Sequence, residues 1–123
     1  MKLLYADDFD EDLSISNDGK NAKYNATPLR GNFSGWPFVK PDHADGSPFS
    51  QVDSYLRITA KKKEGADKGT TGFIASARAD GGGFWVTPPC YLECRFTAQS
   101  AVGTWPAFWA MTYTAGPPGD ELD

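Results

Sequence analysis

The stretch GTWPAFWAMTY, Gly103 to Tyr113, is the most informative in the chain. As a strand it puts Trp105, Ala107, Trp109, Met111 and Tyr113 on one face, and Pro106, Phe108, Ala110 and Thr112 on the other. Both faces are rather apolar, so neither reads as plain solvent-facing sheet surface. One face can belong to a core. The other then presents two indoles about 13 Å apart, farther than one sugar ring extends. An indole is a flat apolar plate with a polar N–H at its edge, and it suits the apolar C–H face and polar rim of a sugar. The same spacing serves two core tryptophans, and Pro106 argues against a fully paired central strand at that point.

Working outward, YLRITA, GFIASARA, FWV and YLECRFTA also read as short strands separated by turn signals. Thirteen Gly and nine Pro punctuate the chain, and no window sustains a helical period. KKKEGADKG, Lys61 to Gly69, is a charged connection between two of these strands. Its lysines could meet a ligand, but its composition is that of a solvated hairpin loop. No internal repeat or linker divides the 123 residues, a length that suits one domain with a modest core. The fold class expected is all-β, and an antiparallel sandwich is the economical architecture for such strands.

Charge and composition narrow the function. The net charge of −4 argues against a nucleic-acid partner, since phosphate binding wants a basic face. No apolar run approaches the roughly 20 residues of a membrane span. The start, MKLLYADDFD, has too short an apolar segment for a signal peptide. Cys90 and Cys94 would share a strand face about 13 Å apart, beyond the roughly 7 Å Cα separation that a disulfide tolerates. They are expected to be buried or half-buried free thiols. The single His43, in the loop PDHADGS, reads as solvated, and a metal site would need more ligands of its kind.

The chain closes on GPPGDELD, Gly116 to Asp123. Read as a strand, DELD turns Glu121 and Asp123 to one side and buries Leu122 behind them. A further acid two residues on, or three with a bulge, would extend the row. Glutamates four apart on a strand begin about 13 Å apart. Their side chains can lean towards the ~5–5.5 Å separation of retaining glycosidases. Alone, the pattern equally describes a solvated acidic end.

Taken in order, these segments resemble glycoside hydrolase family 16, the laminarinase, lichenase, agarase and carrageenase family. YADDFDEDL is similar to the family's opening segment, VDSYLRITAKK and TTGFIASA to its next strands. FWVTPPCYLECRFTAQSAVGTWPAFWAMTY resembles the aromatic-Glu-x-Arg and Gly-Thr-Trp-Pro-Ala-x-Trp stretch, and DELD the start of Glu-x-Asp-x-Glu or its bulged form. The resemblance implies a concanavalin A-like jelly-roll sandwich with substrate on the concave sheet, incomplete in this chain. It implies Glu121 as nucleophile, Asp123 as the assisting carboxylate, and Trp105 and Trp109 as substrate-binding positions along the cleft. Glu93 and Arg95 match Glu-x-Arg, in support of the sheet or of the cleft.

The general acid/base would lie beyond Asp123, so residues 1–123 are expected to be the N-terminal half of one catalytic domain, inactive alone. The implied activity is endo-acting, retaining hydrolysis of a β-linked polysaccharide, a glucan or galactan, by a secreted or extracellular protein. No organic cofactor or catalytic metal is implied. A structural calcium is known in many relatives, and its ligands cannot be placed here. The alternative is a lectin-like carbohydrate-binding sandwich without catalysis; a third reading is a structural module of the same type.

Overall fold

The computed structural model describes residues 2–112 and 121–122. They group into two compact units, Met1–Val86 and Thr87–Asp123. Among the described residues there is no helix, and six short strands form three two-stranded sheets. The class is all-β.

In the first unit, β1 (Ile15–Ser16) pairs in parallel with β2 (Tyr24–Asn25), Ile15 opposite Tyr24. The turn between them is held locally: the Ser16 hydroxyl accepts from Gly19 N–H at 3.0 Å, and Asp18 accepts from Lys20 N–H at 3.0 Å. The main hairpin is β3 (Phe49–Val52) with β4 (Tyr55–Ile58), antiparallel with Val52 opposite Tyr55. Its two-residue connection places Asp53 at φ 51°, a left-handed conformation that a short Asp side chain tolerates and that two-residue hairpins favour. The YLRITA strand thus forms over its first four residues.

GFIASARA does not form a regular strand. The segment instead makes isolated bridges, Ala75 to Asn25 and Ala77 to Gly83, and the preceding Thr71 bridges Phe38. Its backbone groups are shared among several partners, so no ladder grows. Lys61 bridges Thr70, which closes KKKEGADKG as a loop with exposed lysines.

Ala26, Val39, Phe49 and Ala77, together with Pro48, are buried apolar residues of the described chain. Asn25 is buried with them, 4% exposed, and its amide is fully occupied. Its Nδ2 donates to the Thr27 carbonyl at 2.7 Å and the Ala77 carbonyl at 3.2 Å, while its Oδ1 accepts from Thr27 N–H at 2.7 Å. Its backbone N–H and C=O both bond Ala75 at 2.9 Å. One residue therefore ties β2 to the 75–77 segment with no polar group stranded, which burial requires.

Two aromatic groups extend this small core. Tyr5 stacks on Phe84 at 4.6 Å and Phe9 on Tyr24 at 6.0 Å. Phe33, Phe38 and Phe73 lie within 5.0–5.9 Å of one another. The opening segment alternates along its length: Tyr5, Asp7 and Phe9 are half-buried while Leu4, Ala6, Asp8 and Asp10 are exposed. It has no ladder partner among the described residues. The Gln51 side chain secures it, with Nε2 donating to the Phe9 carbonyl at 2.6 Å and the Glu11 carbonyl at 2.9 Å.

The second unit contains one strand pair, β5 (Ala110–Met111) with β6 (Glu121–Leu122), antiparallel. FWV, in the first unit, and YLECRFTA, in the second, do not form strands, and residues 89–108 are exposed. A strand persists only where a neighbour takes its backbone donors and acceptors, and the described residues supply such a neighbour to Ala110–Met111 alone in this unit.

Candidate functional site

The candidate site lies in the second unit, around β5 and β6. Ahead of β5 the chain turns at residues 101–104. Thr104 N–H donates to the Ala101 carbonyl at 3.0 Å, and its hydroxyl donates to the Gln99 and Ala101 carbonyls at 3.0 and 2.7 Å. Gly103 stands at φ 87° in this turn, a conformation that strains any residue with a Cβ. The Gly-Thr of GTWPAFW is therefore the turn, and the aromatic run begins as the chain leaves it.

Trp105 is 91% exposed and Trp109 half-buried. Across the pair, Met111 opposes Glu121 and Ala110 opposes Leu122. Directly opposed residues of an antiparallel pair share a face, with Cβ atoms about 4.5–5.5 Å apart. Glu121 and Met111 thus stand on one face and Leu122 on the other. Trp109 precedes Met111 by two residues, the spacing at which extended backbone returns to the same side. Glu121 is exposed. Asp123 and Tyr113 lie outside the described residues.

Three expectations are corrected here. Leu122 is 65% exposed rather than buried, because β6 pairs on one edge and no described residue of this unit packs over its apolar face. Cys90 and Cys94 are free thiols as expected but are exposed rather than sheltered, since the strand that would have carried them inward does not form. Partial desolvation still pushes the Cys94 thiol up. His43 is also corrected, from solvated to half-buried: its Nδ1 accepts from Asp45 N–H at 3.2 Å within a turn.

Of the Glu-x-Arg pair, Glu93 accepts from the Tyr91 hydroxyl at 2.8 Å, and that hydrogen bond pushes the Tyr91 phenol up. In sequence, the one signal that Met111 carries is its membership of the tryptophan face. Among the described residues no group of three or more His, Cys, Asp or Glu could hold a metal ion, and no helix is long and apolar enough to cross a membrane. Comparison with known proteins returned no match to a family model, to a curated protein or to a solved structure.

Proposed function

We propose that this chain carries the nucleophile strand and aromatic wall of an endo-acting retaining glycosidase that cleaves a β-linked polysaccharide, a glucan or galactan. The proposal places residues 1–123 within one catalytic domain of glycoside hydrolase family 16, built as a concanavalin A-like jelly-roll sandwich. The observation that carries it is the β5–β6 register, which turns Glu121 to the side of Met111 and, by alternation, of Trp109. A surface glutamate at an unrelated site has no reason to share that face.

In the proposed chemistry a Glu121 carboxylate oxygen attacks the anomeric carbon and the bond to the leaving sugar breaks. A covalent glycosyl-enzyme results. A second glutamate, two or three residues past Asp123, first gives its proton to the leaving oxygen and then takes one from the incoming water. The two carboxyls must rest in opposite protonation states, which their closeness encourages. Asp123 holds Glu121 in place. Trp105 and Trp109 line the cleft and set the polymer against the nucleophile.

The lectin-like reading is favoured by the exposure of Trp105, which suits binding without catalysis equally well. A mechanism-based fluorosugar separates the two. On a chain that includes the second glutamate, it should label Glu121 covalently; a lectin accumulates no such adduct, and a label on another carboxylate removes Glu121 from the role.

A further inference from the structure

The loop from Lys61 to Gly69 closes on itself. Lys61 N–H donates to the Thr70 carbonyl at 2.8 Å, and Thr70 N–H donates back to the Lys61 carbonyl at 2.7 Å. Inside it, Ala66 N–H returns to the Lys63 carbonyl at 3.1 Å. Gly69 is buried, and a Cβ there would run into the Lys61 carbonyl and the Trp36 ring. The loop therefore has a fixed base. It faces the turn at residues 43–46, where Gly46 N–H donates to the His43 carbonyl at 2.8 Å. The Lys63 ammonium spans the two, 2.7 Å from Asp45 Oδ1.

Between loop and turn lies a cleft of about 460 Å³, within the size range of small-molecule sites. Lys61, Lys62, Lys63 and Lys68 all line it, over a floor that includes the buried Val39 and Pro48. Asp45 neutralises one of the four. None of the ion pairs among the described residues uses Lys61, Lys62 or Lys68. Three lysines outside these ion pairs thus border one concavity, on a loop that also carries the exposed Glu64 and Asp67 and in a chain whose net charge is −4.

Lysines that border one concavity repel one another, the more so beside an apolar wall. A compact dianion seated among them reverses each repulsion. We infer that this cleft binds a tetrahedral oxyanion group, sulfate or phosphate, free in solution or carried as an ester on a small molecule. Nucleic acid fits less well, because a long polyanion must also lie along the acidic remainder of the surface within a Debye length of about 10 Å. The inference stands apart from the carbohydrate reading, since it uses no residue of the second unit.

The test is a lysine-acetylation footprint of the 123-residue chain, read by mass spectrometry at constant ionic strength with chloride as the reference anion. Inorganic sulfate, inorganic phosphate and a monosaccharide sulfate ester form the arms. Saturable protection of Lys62 and Lys68 severalfold beyond that of Lys20 is expected in at least one arm. Protection by the inorganic ions identifies a free oxyanion as the ligand; protection by the ester alone identifies an ester-borne group. Equilibrium dialysis of radiolabelled sulfate or phosphate, or of the ester where only that arm protects, should show one site per chain, weakened about tenfold in a Lys62→Gln, Lys68→Gln double variant. Both side chains are exposed and outside every ion pair among the described residues, and the footprint on the unmodified chain stands whatever the variant does. Protection shared equally with Lys20, protection no greater than in chloride, or tighter binding of a single-stranded oligonucleotide at the same salt would overturn the inference.

Discussion

Met111 stands directly across the β5–β6 pair from Glu121. A thioether beside the carboxylate gives the proposed nucleophile an apolar, polarizable neighbour on its own face, and the half-buried Trp109 lies two residues before Met111, just ahead of β5. In a chain extended through the second glutamate, Glu121→Ala should lower turnover by several orders of magnitude with the fold intact. Azide should restore part of the activity by filling the vacated space, and the product should be a glycosyl azide of inverted anomeric configuration. Near-normal turnover in the variant would sink the mechanism.

The 123-residue chain alone should release no reducing sugar from laminarin, lichenan or agarose at an enzyme-like rate. The proposed chemistry needs two carboxyls about 5–5.5 Å apart, and the described residues bring one to the tryptophan face. Robust hydrolysis by the purified chain would show that some other acid serves.

The two tryptophans should separate by their burial. Trp105→Ala, at an exposed position, should change stability by no more than about 0.5 kcal/mol while weakening oligosaccharide binding by about 1–2 kcal/mol. Trp109→Ala should impair both, with a stability loss below the ~3–5 kcal/mol of a fully buried aromatic. Calorimetric titration and denaturant unfolding of the same variants measure the two effects.

Asn25→Ala should cost about 1–3 kcal/mol, because it strands the Ala77 carbonyl and the Thr27 N–H inside the first unit. Urea unfolding followed by tryptophan fluorescence reads the loss. Asn25→Asp should be no better, since a carboxylate cannot donate to the two carbonyls the amide serves.

At the ends of the pH range, Asp80 and Tyr24 should act in opposite directions. The Gly82 N–H, and then Arg78, hold the Asp80 carboxyl below its ordinary 3.8. Its contribution is therefore present above pH 3.8 and is lost as pH falls through the lowered value. Burial pushes the Tyr24 phenol well above its ordinary 10.0. Its contribution is complete below pH 10 and is withdrawn as the pH climbs past it. Asp80→Asn should flatten the acid limb of the stability profile, and Tyr24→Phe the alkaline limb.

Local chemistry made some of this readable from sequence. YLRITA reads as a strand from its composition, and its first four residues pair with Phe49–Val52. Alternation placed Met111 and Glu121 on candidate faces, and the register joins those faces. What sequence pattern could not supply was pairing. GFIASARA and YLECRFTA carry strand composition, yet a strand is a property of two segments, and theirs found scattered bridges or none. Alternation sends Leu122 to one side and free thiols are usually buried, but neither says whether anything lies over that side. The lysine cleft was half-visible: KKKEGADKG announced the charge, but only the Lys61–Thr70 closure and the Lys63–Asp45 contact set it against a second wall.

The amide of Gln51 uses both of its hydrogens on carbonyls of the opening segment, Phe9 and Glu11. Because side chains alternate along a strand, a one-residue slip of β3 would swing that amide to the opposite side and cut both bonds at once. The acidic opening segment thus acts as a gauge on the hairpin. It accepts one setting of β3 and rejects its neighbours, so an error in strand alignment would be felt some forty residues upstream, where the chain begins.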